Sequence, residues 1–461
     1  MTAVDPGPSH TLETQIEEWR RFLGRRREIH AVDLDELEDH LRVEIDTLLN
    51  ARLSPDEAFL VAVKRMGAQD SIANEFAREH SERLWKQLVA PPNAADVSGG
   101  ASRPEMLLVF ALAAAVAVLV KVPALFGMRV IEDSGFYTRN LSLFVLPLLA
   151  GHFVWRRQAG DRGGVQSKSL AAGFVFAAAV ANLTPFATGG DSETLVALHL
   201  PIALWLVVGV AYSGERWRDS TARMDFVRFS GELLIYYVLI ALGGGVLIAF
   251  TMGMFEAIGA DARWVVQDWL IPCGGLSALI VSAWLVEAKQ SVVENMAPVL
   301  TRLFTPLFTA TLLVFLATMV WSGRGIGIGR DVLIAADLLL VLVLGLFLYS
   351  ISARDPHAPR GALDFLLVAL VVSALVADGF ALAAIAARIT EFGSTPNRMA
   401  ALGMNVVLLV NLGWSAWLYV RFLRGRGSFA PIERWQTAYL PAYGVWAAIV
   451  VVLFPLLFNR R

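Results

Sequence analysis

Charge and cysteine are both scarce in this chain. Only 17% of its 461 residues are charged, against about 25% in an ordinary soluble domain, whereas 56% are hydrophobic and the mean hydropathy is +0.56. The single cysteine, Cys273, excludes a disulfide within the chain and a thiolate zinc site. The N-terminal stretch MTAVDPGPSH has no apolar core preceded by basic residues, so we expect no cleavable signal peptide.

Motifs that carry enzyme chemistry are also missing. The chain has no His-Glu-x-x-His motif, no Walker loop for phosphate and no nucleophile elbow. We therefore expect no enzymatic activity, no cofactor and no metal site. The N-terminal part has no basic face and no aromatic platform, so we also expect no binding of nucleic acid.

The charge that is present is divided unevenly. Residues 1–90 contain 18 acidic and 12 basic side chains, a net charge of −6, and the whole chain has −2, so the remainder has +4. An acidic, soluble head is thus followed by a slightly basic, apolar body. The stretch PPNAADVSGGASRP interrupts every periodicity and is typical of a flexible linker. The predicted organisation is a helical head at 1–90, a linker at 91–104 and a membrane domain at 105–461.

The head has the sequence pattern of a small helical domain. Its clearest local signal is SPDEAFLVAVKRMG, in which Ser54 is a helix N-cap, Pro55 suits the first helical position and Glu57 completes a capping box. Apolar residues at spacings of three and four predict further helices. These cover residues 11–27, a stretch from 33 or 35 to about 48, and residues 69–88.

The head resembles a known bacterial family. DLDELEDHLRVEIDTLLNARLSPDEAFLVAVKRMGAQDSIANEFARE is similar to the permease prefix domain, a helical module that precedes membrane segments. The resemblance covers about residues 10–85 and implies a cytoplasmic domain that regulates or contacts a protein partner. It implies no active site. The alternative is a plain helical domain that docks on its own membrane part.

The body is predicted to be a polytopic α-helical membrane domain, so the fold class is all-α. A bilayer core of about 30 Å needs about 20 apolar residues at 1.5 Å each, and eleven segments satisfy this. They lie at about 106–127, 138–155, 168–187, 193–213, 229–258, 264–287, 302–322, 331–351, 362–388, 396–420 and 436–458. No segment alternates with a period of two, as the strands of a membrane barrel do.

Lysine and arginine in the connecting loops predict the orientation of the domain. The even-numbered connections carry 16 of these residues, against about ten in the odd connections and at the C-terminus. Because basic loops stay on the cytoplasmic side, we expect a bacterial inner-membrane protein with a cytoplasmic N-terminus. Eleven helices would place the C-terminus outside.

One late segment of the body resembles a second family. RITEFGSTPNRMAALGMNVVLL, residues 388–409, is similar to part of an uncharacterised family of bacterial multi-pass membrane proteins with a YG.TP.R turn between two late helices. Phe392 stands here where that pattern has tyrosine. The resemblance implies a membrane architecture and no chemistry.

Polar residues inside the apolar segments are the candidate functional site. A charge at mid-bilayer costs about 3 to more than 10 kcal/mol unless it is paired or hydrated. With the predicted orientation, several polar residues fall in one layer roughly 6–15 Å below the outer surface. They are Asp337, Asp378, Asp268, His199, Asn182 and Asn405.

Two interpretations of this layer remain open. In the first, Asp337, Asp378 and Asp268 line an outward-facing polar site for a proton, a cation or a cationic solute, with His199 as a proton partner. In the second, Asp337 and Asp378 only hydrogen-bond Asn405 or hydroxyl groups and hold the bundle together.

Glycine and proline interrupt two neighbouring segments near their middles. Gly243, Gly244 and Gly245 lie in the fifth segment, and Pro272 precedes two glycines in the sixth. Such paired interruptions indicate either broken helices around a transport site or close packing of helices.

Three functions are compatible with these patterns. The first is a permease-like carrier or channel for a small solute or ion, with a cytoplasmic regulatory head. The second is a membrane-anchored sensor or scaffold that acts through the head without transport. The third, an enzyme embedded in the membrane, has the least support.

Overall fold

The computed structural model describes the chain in stretches. These are residues 12–23, 31–50, 53–65, 103–130, 132–157, 163–186, 189–257, 259, 261, 263–288, 290–321, 330–354 and 358–458. Within them all regular structure is helical, with no β-strand. The chain divides into two compact units, Met1–Gly100 and Ala101–Arg461, and each is described by itself.

The first unit contains three described helices around a small core. Helix α1 is Leu12–Leu23, α2 is Ala31–Asn50 and α3 is Pro55–Arg65. The core consists of Ile16, Trp19, Leu41, Ile45, Leu48, Ala58 and Ala62. Two predictions for this region, the helix at 69–88 and most of the linker at 91–104, lie outside the described residues.

The predicted capping box is present at the start of α3. The Ser54 backbone N–H donates to Glu57 Oε2 at 3.1 Å, and the Glu57 N–H donates to Ser54 Oγ at 3.4 Å. Two N–H groups that the helix cannot satisfy are therefore paired. Because the same carboxylate also accepts from the Ser54 hydroxyl, its pKa lies below the usual glutamate range.

A charged cluster joins α1 and α2 on the surface of this unit. Glu38 accepts hydrogen bonds from Arg20 and from Arg42, and Arg42 also donates to Glu13 at 2.7 Å. The guanidinium of Arg20, then that of Arg42, lowers the pKa of Glu38 below its usual value of 4.5. The Arg20–Glu38 contact therefore stabilises α1 against α2 fully only while Glu38 is ionised, whereas the Arg42–Glu13 contact does not depend on Glu38.

The described residues of the second unit form eleven long helices. The first seven are α4 (Arg103–Lys121), α5 (Ser134–Arg157), α6 (Gly163–Leu183), α7 (Asp191–Ser213), α8 (Ser220–Ala257), α9 (Gly275–Ala288) and α10 (Gln290–Trp321). The other four are α11 (Arg330–Ala353), α12 (Ala362–Phe392), α13 (Pro396–Leu423) and α14 (Ala430–Phe458). Short 3₁₀ turns follow α4 and α7, at Val122–Phe126 and Gly214–Arg216.

Nine helices among the described residues are long and apolar enough to cross a membrane. They suggest a multi-pass integral membrane protein. Helices α5 and α6 coincide with two further predicted segments but are not among these nine; α5 carries Arg139 and His152, and α6 carries Lys168. Their crossing, and with it the count of about eleven, remains a prediction. Most segments begin and end within about six residues of the helices, but α8 and α10 begin nine and twelve residues before the predicted starts at 229 and 302, and the segment predicted at 264–287 is divided between the π-helix Val266–Gly274 and α9. Arg103 and Pro104 of the predicted linker belong to α4.

The helices of the second unit pack around two main groups of buried side chains. The first group is formed mainly by α4 to α9, and Phe153, Leu200 and Phe229 are among its members. The second lies between α8 and α10 to α14 and includes Leu340 and Leu370. Many large apolar side chains point outward, as expected where lipid tails cover the surface.

The two predicted helix interruptions have different outcomes. Helix α8 runs unbroken through Gly243, Gly244 and Gly245, and a Cβ added at any of them would meet no atom within 4 Å. Neither a break nor close packing is therefore present there. Around Pro272 the chain is a π-helix, Val266–Gly274, which leads into α9. Proline lacks the N–H that an α-helix needs, so it favours this wider turn.

Candidate functional site

The structure brings Asp337, Asp378 and Asn405 together from three helices. Asp337 lies on α11, Asp378 on α12 and Asn405 on α13, and we call these three residues the acid layer. Asp378 and Asn405 are fully buried, with 0% of their surface exposed, and Asp337 is half-buried. The Asn405 amide donates to Asp337 Oδ1 at 3.0 Å, and the charges of Asp337 and Asp378 lie close enough to repel each other.

Apolar side chains flank the acid layer in both directions along its three helices. On one side Leu333, Ala381 and Leu402 pack in one apolar cluster, and on the other Leu340, Ala374 and Leu408 pack in another. Each polar residue stands three or four positions from its apolar neighbours on the same helix. That spacing keeps all of them on one helix face. The acids therefore face the interior because their helix faces are otherwise those of a packed core.

The acid layer has hydrogen-bond acceptors that lack donors. Neither carboxylate oxygen of Asp378 has a hydrogen-bond partner among the described residues, and Asn405 Oδ1 also lacks one. No described Lys, Arg or His forms an ion pair with Asp337 or Asp378. Buried polar atoms are normally paired, and a buried charge without a counter-charge is costly. In the described residues, the two carboxylates therefore lack a positively charged partner, and the Asp378 and Asn405 oxygens lack a hydrogen-bond donor.

A second polar group lies beside the acid layer, between α13 and α14. The Tyr443 hydroxyl is close enough to Asp378 for an electrostatic interaction and accepts from Asn411 Nδ2 at 2.9 Å. The same amide donates to Gln436 Oε1 at 3.1 Å, and Gln436 Nε2 donates to Ser415 Oγ at 2.5 Å. Buried polar groups thus continue for several turns along α13.

Asp268 and His199 are not joined to the acid layer. Asp268 lies in the π-helix before α9, where its backbone carbonyl accepts a hydrogen bond from Lys121 of α4. The buried His199 ring hydrogen-bonds the Leu195 carbonyl of its own helix through Nδ1, at 2.9 Å. The side-chain amides of Asn182 and Asn140 form two hydrogen bonds with each other, of 2.9 and 2.8 Å. The residues of the predicted layer therefore form separate polar contacts on different helices, and their common depth stays a prediction.

Three charged groups of the second unit are not evident from helix periodicity. Arg139 and Glu193 form an ion pair at a cavity of about 800 Å³, beside the ends of α5 to α7. Arg354 and Asp364 form a bidentate pair at the beginning of α12. The third group surrounds a cavity of about 310 Å³ between α5, α7, α8 and α9. Gly135 leaves room for the first pair, because a Cβ there would displace the Glu193 carboxylate from its present position.

The fold and the acid layer define a class rather than a named family. The described part of the chain is a multi-pass helical bundle with an acidic, unpaired interior layer. No protein-family model matches the chain, and no curated protein and no solved structure is similar to it. The resemblance of the head to the permease prefix domain therefore stays a prediction.

Proposed function

We propose that the protein is a permease-like integral membrane protein whose acid layer binds and releases a proton during transport of a small solute or ion. The observation that carries this proposal is the set of unpaired acceptor oxygens on Asp378 and Asn405. Asp337 and Asp378 lie together in a desolvated layer with no positive charge beside them. At least one of the two carboxyl groups is therefore expected to hold a proton, because two uncompensated negative charges there would repel each other.

A proton suits the acid layer better than a solute does. The layer lies between apolar layers, and none of the three cavities described in the second unit is lined by Asp337, Asp378 or Asn405. A solute would need a space that the packed side chains fill, whereas a proton needs only an oxygen atom. The solute would then bind elsewhere in the bundle, with its movement coupled to protonation of the layer.

The proposal retains the predicted membrane and head. It places the protein in a bacterial inner membrane, with the lipid bilayer as its surroundings and the N-terminus in the cytoplasm. The first unit is assigned a regulatory role and a cytoplasmic protein partner. Support for a separate module is its own apolar core and its separation from the second unit along the chain.

A second candidate function is a membrane-anchored sensor or scaffold that acts through the first unit. The separate core of that unit is the observation that favours it. In a sensor the acid layer would have a structural role, and removal of residues 1–90 would abolish signalling. In a carrier the same removal would change regulation and leave proton exchange in place.

The test uses the full-length protein in lipid vesicles. Infrared titration reports protonated carboxylic acids, and a pH-sensitive dye inside the vesicles reports proton movement driven by a membrane potential and a solute mixture. The variants are Asp378→Asn, Asp337→Asn and both together. Asp191→Asn is the matched control, because Asp191 is exposed at the first turn of α7.

We expect the Asp378→Asn variant to lose one protonated-acid band and at least about tenfold in proton movement, since general acid–base groups typically contribute that much or more. The control should behave as the wild type does. Equal bands and equal proton movement in wild type, Asp378→Asn and Asp191→Asn would leave the acid layer with a structural role only.

A further inference from the structure

The cavity of about 310 Å³ in the second unit has charged walls of both signs. It lies where α5, α7 and α9 end and α8 begins, so it opens among helix ends rather than at mid-bundle. Ala222, Phe229 and Val286 form an apolar part of its lining. Its charged lining residues are Arg157, Arg216, Arg228, Asp225, Glu232 and Glu287.

Several of these charges are held in place by the protein. The Arg228 guanidinium donates to the Ser352 carbonyl of α11 at 3.1 and 2.5 Å, and Arg157 lies over the Tyr212 ring at 4.1 Å. Glu287 accepts from Arg156. The side chains of Arg216 and Asp225, by contrast, have no ion pair or hydrogen bond in the described part of the chain. The Arg216 guanidinium and the Asp225 carboxylate, which both line the cavity, are thus available to bind a ligand.

The position of the cavity indicates where the occupant comes from. Trp155 stands two residues before the end of α5, and Trp217 follows Arg216; both side chains are at least one-third exposed. Tryptophan and arginine at the ends of apolar helices mark the level of lipid headgroups. Because the cavity lies among these residues, phospholipid headgroups are the charged molecules that we expect at its mouth.

We propose that this cavity binds the headgroup of a zwitterionic phospholipid that carries a phosphate and a primary amine. The arginines contact the phosphate, for which a guanidinium has matching donors. Asp225 and Glu232 accept hydrogen bonds from the ammonium group, and the apolar lining contacts the methylene carbons between the two charges. A purely anionic headgroup would leave the Asp225 carboxylate without a partner, and a trimethylammonium group has no N–H to donate.

The test measures which lipids stay bound to the full-length protein. The wild type is placed in nanodiscs of phosphatidylcholine mixed equally with either phosphatidylethanolamine or phosphatidylglycerol, and retained lipids are counted by native mass spectrometry. The variants are Asp225→Asn, which removes the acceptor charge, and Arg216→Gln, which removes a phosphate contact. Arg218→Gln is the matched control, because Arg218 stacks on Trp217 and does not line the cavity.

We expect the wild type to retain the ethanolamine lipid at least about tenfold over the choline lipid, as the loss of one charge-assisted hydrogen bond predicts. Asp225→Asn should abolish this preference, Arg216→Gln should reduce retention of both lipids, and Arg218→Gln should change neither. Equal retention of the two lipids by the wild type would overturn the proposal without any variant. Preferential retention of phosphatidylglycerol, or an ethanolamine preference that survives Asp225→Asn, would overturn it as well.

Discussion

Replacing Gly403 by alanine tests the packing of α13 against α14. A Cβ added at Gly403 would stand 2.7 Å from Cζ3 of the Trp446 ring and closer still to Cζ2 and Cη2. Carbon atoms in contact normally stand about 3.5–4.0 Å apart. The ring is rigid, so the tryptophan must turn away or the two helices must separate. Gly243→Ala is the control, since a Cβ there has no atom within 4 Å.

The magnitude follows from three contributions. Overpacking a well-filled interior typically costs about 1–3 kcal/mol, and displacement of Trp446 also loses its edge contact with Phe454, a pair of the kind worth about 0.5–1.5 kcal/mol. Replacing glycine by alanine within a helix returns about 0.5–1 kcal/mol. We therefore expect Gly403→Ala to destabilise the second unit by about 0.5–4 kcal/mol and Gly243→Ala to be neutral or slightly stabilising.

The assay is thermal unfolding of both full-length variants in identical nanodiscs, followed by the near-ultraviolet signal of the tryptophans. The double variant Gly403→Ala with Trp446→Leu should recover part of the loss, because the smaller side chain leaves room for the methyl group. If the two variants Gly403→Ala and Gly243→Ala have the same midpoint temperature of unfolding, α13 and α14 do not pack closely at Gly403.

Two further predictions concern ion pairs. Replacing Arg354 by alanine leaves the buried Asp364 carboxylate without its bidentate partner, so we expect the free energy of unfolding in nanodiscs to fall by about 3–5 kcal/mol. Arg354→Lys should lose less, because lysine keeps the charge but cannot form both hydrogen bonds. Wild-type stability of Arg354→Lys would contradict the importance of the two-bond guanidinium geometry. In the first unit, Glu38 has a lowered pKa, so its bonds to Arg20 and Arg42 stabilise α1–α2 fully above pH 4.5 and less as the pH falls below that value. Glu38→Gln should therefore lower the free energy of local opening of α1, measured by amide hydrogen exchange, by about 0.5–1 kcal/mol at pH 7. The effect should be smaller at pH 3. An equal effect at both pH values would contradict this explanation.

Local patterns were sufficient to predict most of the helices and the capping box at Ser54. Both follow from nearby residues in the sequence. The helices were predicted from the length of the apolar segments, and the capping box from the pairing of Ser54 with Glu57. The aspartates at 337 and 378 were found in the same way, because a carboxylate inside an apolar segment is conspicuous without any structure. The groups at Arg139 and Arg354 were missed because charges near helix ends are common and indicate no partner.

Depth along a helix and position around it have different origins. Depth follows from counting residues at a fixed rise, so the sequence alone indicated that Asp268, His199, Asp337, Asp378 and Asn405 lie at comparable levels. Which of them meet depends on which helices are neighbours and which faces they turn inward, and contacts between distant parts of the chain determine that. Only the tertiary structure therefore selected Asp337, Asp378 and Asn405 as one site, because burial on a shared face, rather than level, brings side chains into contact.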